Sequence, residues 1–193
     1  MWNKKNKPFI IIAGPSGVGK STITQKILSF YSPDIIGTTI SYTTRPIRGV
    51  EKDGYNYHFV KENDFLSLKD KNFFAEWTYV YNHYYGTATQ QIEQHWSKGR
   101  AIIKDFDLKG ANSIKKLYPQ ALRVFIYPPS VKELFHRVQD RKENSKEEIK
   151  LRIEQAESEL KQALSFDHQL ENAKLDKTVE KLKKIIEEYL KKP

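Results

Sequence analysis

The stretch FIIIAGPSGVGKSTITQKI, residues 9–27, constrains the fold more than any other part of the chain. The unbroken apolar run from Phe9 to Ala13 is strand-sized and shows no polar alternation, so it reads as a strand buried on both faces. Gly14, Gly19, Lys20 and Ser21 then fit the spacing G-x-x-x-x-G-K-[ST]. Beyond them Ile23, Ile27, Phe30 and Tyr31 recur on one face of a helix. Glycines let successive N–H groups turn inward around phosphate oxygens, and the helix N-terminus adds positive potential. Pro15, Ser16, Gly17 and Val18 fill the loop, and Thr22 follows it. Lys20 is placed to reach the β- and γ-phosphates of ATP or GTP, and the Ser21 hydroxyl to ligate Mg²⁺. The loop alone does not separate a kinase from a hydrolase or a switch.

The rest of the chain extends this strand-and-helix pattern. AIIKDFD and LRVFIY read as further strands, and LKGANSIKKLY as the helix between them. Ser130 with Glu133 forms a capping box that opens a helix, and Ser145 with Glu148 repeats the signal before Ile149, Ile153, Ala156 and Leu160. After FDHQLEN, a last amphipathic helix carries Val179, Leu182, Ile185, Ile186 and Tyr189. Such alternation predicts a parallel α/β sheet. Residues 38–96 interrupt it. IIGTTISYTT, YNYHFV and Phe73–Val80 are rich in β-formers, with a short helix capped by Asn63 or Asp64 and another capped by Thr89. The expected organisation is a core over 1–37, 97–130 and 164–193, an inserted β-rich subdomain over 38–96, and a helical unit over 131–163.

Composition narrows the classes. At 193 residues, 38% hydrophobic and 30% charged, the chain has globular composition. No apolar run approaches the roughly 18 residues of a membrane helix. The basic start MWNKKNKP is followed by no signal-type apolar region, and zero cysteines leave neither disulfides nor a thiolate zinc site. The expectation is a cytoplasmic protein. The formal charge of +9 fits a basic face for nucleic acid, a lysine-rich composition, or a pocket for several phosphates.

SYTTRPIRGVEKDGYNYHF, residues 41–59, favours the last of these. Arg45 and Arg48 lie three apart among Ser41 and several tyrosines, and arginine forks bind phosphate bidentately. A lone R-x-x-R would read as a solvated hairpin. This stretch, with GPSGVGKST, FAEWTYVYNHYYGT, DFDLKG and VFIYPPSVKELFHRVQDR in that order, resembles the guanylate kinase family from about residue 8 to 180. The resemblance implies a phosphate-loop sheet flanked by helices, an inserted nucleotide-binding subdomain and a helical lid. It implies transfer of a phosphoryl group from ATP to GMP with Mg²⁺.

By that resemblance Ser41, Arg45, Arg48, Tyr57 and Tyr85 hold the GMP phosphate, and Glu51 keeps its family spacing from Arg48. Glu76, Thr87 and Asp107 face guanine, while Asp105 lies nearer Mg²⁺ and the phosphates. Carboxylates accept from guanine N1–H and N2–H, and adenine would leave them unpaired at a large cost. Arg137, Arg141 and Arg152 belong to the lid and close over the ATP phosphates, although a solvated helix paired with Asp140, Glu148 or Glu154 is the plainer reading. Asn172 matches a position beside adenine. The acceptor is itself a largely ionised phosphate, so no general base is needed. His58, His83, His95, His136 and His168 read as structural or exposed.

Three blocks depart from the family. RGVE carries Gly49 one place early, NHYYG has Asn82 for the usual glycine and His83 for the usual asparagine, and KDFDLKG places Lys104 and Lys109 around the aspartates. Asn tolerates positive φ, so the second turn is expected to survive. Rival readings are a non-catalytic interaction module, a kinase of another small molecule, and an RNA binder using the aromatic runs. The intact loop opposes the first, Glu76 and Asp107 oppose the second, and no obligate protein partner is implied.

Overall fold

Residues 7–139 and 154–191 are described in a computed structural model of the chain. β1 (Phe9–Ala13) is buried at every position. It is the central strand of a five-stranded sheet, joined by β2 (Ile36–Gly37), β7 (Ala101–Asp105), β8 (Leu122–Tyr127) and β9 (His168–Glu171) in the order β2-β7-β1-β8-β9. All of its pairings are parallel. Parallel neighbours need crossovers, and helices supply them.

Period-two alternation divides the core between the two faces. Ile10, Ile12, Ile103 and Val124 pack with Ile23 and Ile27 of α1 (Lys20–Leu28) and with Val179, Leu182 and Ile186 of α7 (Leu175–Lys191). Phe9, Ile11, Ile102 and Phe125 pack on the other face with Ile92 and Trp96 of α3 (Thr89–Ser97) and Ile114 of α4 (Leu108–Leu117). Among the described residues no helix is long and apolar enough to cross a membrane.

A second sheet runs β4-β3-β6-β5, from β3 (Tyr42–Thr43), β4 (His58–Phe59), β5 (Phe74–Val80) and β6 (His83–Ala88). β6 pairs antiparallel with both β3 and β5. α2 (Glu62–Asp70) covers it through Phe65, stacked on Phe74 and Tyr84 at centroid distances of 4.5 and 5.2 Å. The run IIGTTISYTT makes no long strand. Ile36–Gly37 join the first sheet and Tyr42–Thr43 the second, so one stretch of β-formers is shared between two sheets.

Several local expectations need correction. α1 ends at Leu28, which leaves Phe30 outside the helix and 54% exposed. Lys61, not Asn63 or Asp64, is the N-cap of α2, and both of those residues lie inside the helix. Thr89 is the first residue of α3 and Ala88 its N-cap, because β6 runs straight into the helix. FDHQLEN contains β9, whose only buried residue is Leu170. The Ser130 cap holds: its Oγ accepts the Glu133 N–H at 3.0 Å and opens α5 (Val131–Gln139). A further helical segment, α6, covers residues 154–160, where Ala156 is buried as its spacing predicts. The cap at Ser145 with Glu148, and Ile149 and Ile153, lie outside the described residues.

Candidate active site

The loop after β1 turns through positive φ at Gly14, Gly17 and Gly19 and enters α1 with Gly19 at its N-cap. A Cβ on Gly14 would stand 2.1 Å from the Ile126 carbonyl oxygen, so only glycine fits against β8 there. Lys20 Nζ folds over the loop and donates to the carbonyls of Gly14 and Pro15, at 2.6 and 3.0 Å. The Ser21 hydroxyl donates to Asp105 Oδ2 at 2.7 Å. β7 neighbours β1, so the carboxyl end of one strand meets the loop leaving the other, the usual ligand crevice of an open α/β sheet.

Asn172, just past β9, braces this loop. Its Nδ2 donates to Val18 O at 2.8 Å, while its backbone N–H donates to Tyr127 O at 2.8 Å. Arg137 on α5 donates to Asn172 O and to Glu133 Oε1, each at 3.1 Å. A carboxylate partner of Arg137 is therefore Glu133, one turn back, while Asp140 and Glu148 lie outside the described residues. Arg137, Asn172, Gly17, Gly19 and Thr22 line a cleft of about 280 Å³. Arg141 and Arg152 lie outside the described residues.

The arginine pair sits in the loop that joins β3 to β4 of the second sheet. Arg45 is 5% exposed and donates from both terminal nitrogens to Glu51, at 2.9 and 2.8 Å, and to Pro46 O at 2.6 Å. These bonds use three of its five N–H groups. Glu51 Oε2 also accepts the Arg48 backbone N–H at 2.9 Å. Burial alone would raise the Glu51 pKa, but the hydrogen bonds from Arg45 and Arg48 and their charges hold it below the ordinary value. The early glycine of RGVE finds its reason in the turn. Glu51 N–H donates to Arg48 O at 2.9 Å, with Gly49 alone at positive φ, the pattern of a type II′ turn with glycine at its first central position.

Tyr57 and Tyr85 flank this clamp, with the Arg45 guanidinium 5.3 Å from the Tyr57 ring and the two rings 6.1 Å apart. The Tyr57 hydroxyl is pushed up, first by burial and then by the Asp105 carboxylate, which faces it from the first sheet. The other departure also resolves. Tyr81 and Asn82 both take positive φ, as the two-residue turn between paired Val80 and His83 demands.

Beside the clamp lies a polar cluster. Thr87 Oγ1 donates to Glu76 Oε1 at 2.7 Å, and Ser41 Oγ stands 3.4 Å from Thr87 Oγ1. Glu76 is buried, and its pKa is pushed up to about 7. Burial is the main cause and Asp107 adds to it, while Thr87 and Lys104 act against it. Asp107 caps α4 through the Gly110 N–H at 2.8 Å and accepts from Thr78 Oγ1 at 2.5 Å. The backbone of Gly110 approaches so closely that a Cβ there would be 3.0 Å from Glu76 Oε2.

Four further residues shape the site without a sequence signal for it. Gln91 grips both backbone groups of Ile40, at 2.7 and 3.0 Å. His95 Nε2 lies 3.0 Å from Thr38 O, and Lys104 Nζ donates to Thr39 O at 2.9 Å. Together they strap residues 38–40, which carry the chain from the first sheet to the second. Glu159 on α6 lines a cleft of about 420 Å³ with Asp107, Lys109 and the 79–82 turn. Its pKa is also raised to about 7, by burial first and Asp107 next, with Lys20 opposing. Only side-chain packing across the fold reveals these contacts.

A parallel sheet with a phosphate loop at the end of its central strand, and a helical frame around it, defines the phosphate-loop kinase class of fold. The guanylate kinase family model matches residues 5–189, and the chain belongs to that family. It is 39% identical over 178 residues to a guanylate kinase of Polaromonas sp., covering 92% of this chain and 85% of the relative. It is 36% identical over 182 residues to a guanylate kinase of Bdellovibrio bacteriovorus, covering 94% and 97%. The crystal structure of guanylate kinase from Anaplasma phagocytophilum superposes with a TM-score of 0.79 at 25% identity, over 95% of this chain and 86% of that one.

Proposed function

We propose that this protein transfers the γ-phosphoryl group of ATP to GMP, giving ADP and GDP, in the cytoplasm. One observation carries the reading: a second anion-receptive cluster, Arg45 with Tyr57 and Tyr85, lies on a separate sheet that also carries Glu76 and faces Asp105 beside the phosphate loop. Two phosphate sites across one cleft suit a reaction between two nucleotides.

In this reading, Gly14 to Thr22 cradle the donor phosphates, and Lys20 exchanges its loop carbonyls for phosphate oxygens. The Asn172 Oδ1, buried with no hydrogen-bond partner, is an acceptor suited to the adenine amino group. Ser41, Arg45, Arg48, Tyr57 and Tyr85 hold the acceptor phosphate. Arg45 keeps its Glu51 bonds and offers its two remaining N–H groups, so Glu51 fixes the fork before substrate arrives. Glu76, Thr87 and Asp107 read guanine. Residues 38–96 form the acceptor subdomain and 131–163 the lid, with Arg137, Arg141 and Arg152 adding charge over the transferring group.

Mg²⁺ fits here as a hard cation that takes few protein ligands and several phosphate and water oxygens. Ser21 would hold it, with Asp105 orienting the hydroxyl, and the ion would neutralise charge on the β- and γ-phosphates. No general base is required of the protein, because the attacking oxygen belongs to a phosphate with a second pKa near ~6. The residues act by alignment, charge neutralisation and exclusion of water. A coupled ADP assay with Mg·ATP and GMP, AMP, CMP or UMP tests the reading. GMP is expected to be the strongly preferred acceptor. Equal rates, or no GMP-dependent ADP, would overturn it.

A further inference from the structure

We infer that Lys104 is a positioning residue for guanine recognition: its buried side chain pins the segment that carries the second sheet and sets a positive charge facing Glu76. This rests on the proposal that Glu76 reads guanine.

Lys104 is the fourth residue of β7, paired with Ile11 of the central strand, and is 6% exposed. A lysine is rarely buried to this degree without a compensating partner. Here the hydrogen-bond partner is the carbonyl of Thr39, 2.9 Å away, in the middle of the crossing from one sheet to the other. Ser41, two residues on, belongs to the Thr87–Glu76 cluster. This buried side chain therefore helps, with Gln91 and His95, to fix the path of the segment that brings Ser41 to Thr87.

Its charge has a second consequence. The groups facing Glu76 come from three elements: Thr87 from β6, Asp107 from the start of α4, and Lys104 from β7. Thr87 is a neutral donor and Asp107 is repulsive. Lys104 is the one cation among them. Burial pushes Glu76 toward its neutral form, and a protonated carboxyl cannot accept from both N1–H and N2–H of guanine. Lys104 is itself pushed down by burial, with Asp105 and Glu76 opposing that fall. The lysine and the carboxylates thus each favour the other's charged form, and loss of the cation leaves Glu76 with only the Thr87 hydroxyl and backbone N–H against burial and Asp107.

The test uses the full chain and the variants Lys104→Met, Lys104→Gln and Glu76→Gln, each checked for folding by its thermal transition. Glutamate ¹³Cδ NMR follows carboxyl titration in the ligand-free protein, and the signal missing from Glu76→Gln identifies Glu76. Loss of the cation should move the Glu76 midpoint upward by roughly one unit or more. Lys104→Gln retains a donor for Thr39 O but no charge, and should show the same shift as Lys104→Met. GMP affinity near neutral pH should then fall about tenfold or more in both; at higher pH Lys104→Gln should converge on the wild type, while Lys104→Met, which also loses the bond to Thr39 O, should stay weaker. An unchanged Glu76 midpoint in either folded variant overturns the inference. A shifted midpoint in a protein whose wild type does not bind GMP leaves the coupling standing and overturns the guanine reading instead.

Discussion

Glu51 is placed to serve stability and, in the proposed acceptor site, substrate geometry. It binds both terminal nitrogens of Arg45 and the Arg48 N–H, and it is 23% exposed against 5% for its partner. Its folded pKa is lowered from 4.5, so its contribution is full above that value and is lost as pH falls through the lower, folded one. Glu51→Gln keeps the shape, removes the charge and leaves Arg45 buried with a weaker partner. Urea unfolding should show a loss of about 1–2 kcal/mol at pH 7, shrinking toward zero at a second, acid pH below the lowered folded pKa, where the wild-type carboxyl is itself protonated. An equal loss at both pH values would exclude the charge as the cause. The variant should also raise the KM for GMP, because a mobile Arg45 no longer presents its two remaining N–H groups in a fixed direction.

At the scale of elements, the decisive feature is the join between the two sheets. Residues 38–40 form no strand, yet Gln91, His95 and Lys104 bond their backbone groups. Gln91→Ala removes two of these bonds, both to Ile40, and should cost about 1–3 kcal/mol. It should raise the KM for GMP while leaving that for ATP nearly unchanged, since the phosphate loop sits on the other sheet. Parallel rises in both constants would mean the strap supports the whole fold and not the join. This is also where sequence reading reached its end. The loop from Gly14 to Ser21 was legible because its chemistry lies in one contiguous stretch between an apolar strand and a helix. The crossing at 36–43 was not, because β propensity does not say which sheet a residue joins. β9 escaped because three of its four residues are exposed, so it has no apolar pattern. Gln91 and Glu159 are polar residues that look solvated in the sequence, and only the packing of one element on another gives Gln91 its partners and Glu159 its burial. The type II′ turn at Gly49 agrees with the glycine's place directly after Arg48, because the first central position of such a turn needs positive φ.

For the whole molecule, the carboxylate proposed to read guanine makes stability, pH and ligand parts of one equilibrium. Glu76 titrates at about 7 in the folded protein against 4.5 unfolded. Its pKa is raised, so the unfolded chain releases this proton first, and the ligand-free protein loses stability as pH climbs from 4.5 to 7. The loss amounts to about 3 kcal/mol at most. A ligand that donates two hydrogen bonds to the ionised carboxylate reverses it, and binding to the folded state alone stabilises by mass action. GMP at 100 times its Kd should add about 2.7 kcal/mol, a rise in Tm of roughly 5–10 °C for a domain of this size. At one fixed GMP concentration the rise should be larger at pH 8 than at pH 6. The Glu76→Gln variant is the reference, because only the titration of the GMP phosphate near pH ~6 is left in it. That variant should be the more stable protein at pH 8 without ligand, and the one that gains less from GMP. If wild type and variant gain equally from GMP at both pH values, Glu76 is a buried structural carboxylate and guanine is read elsewhere.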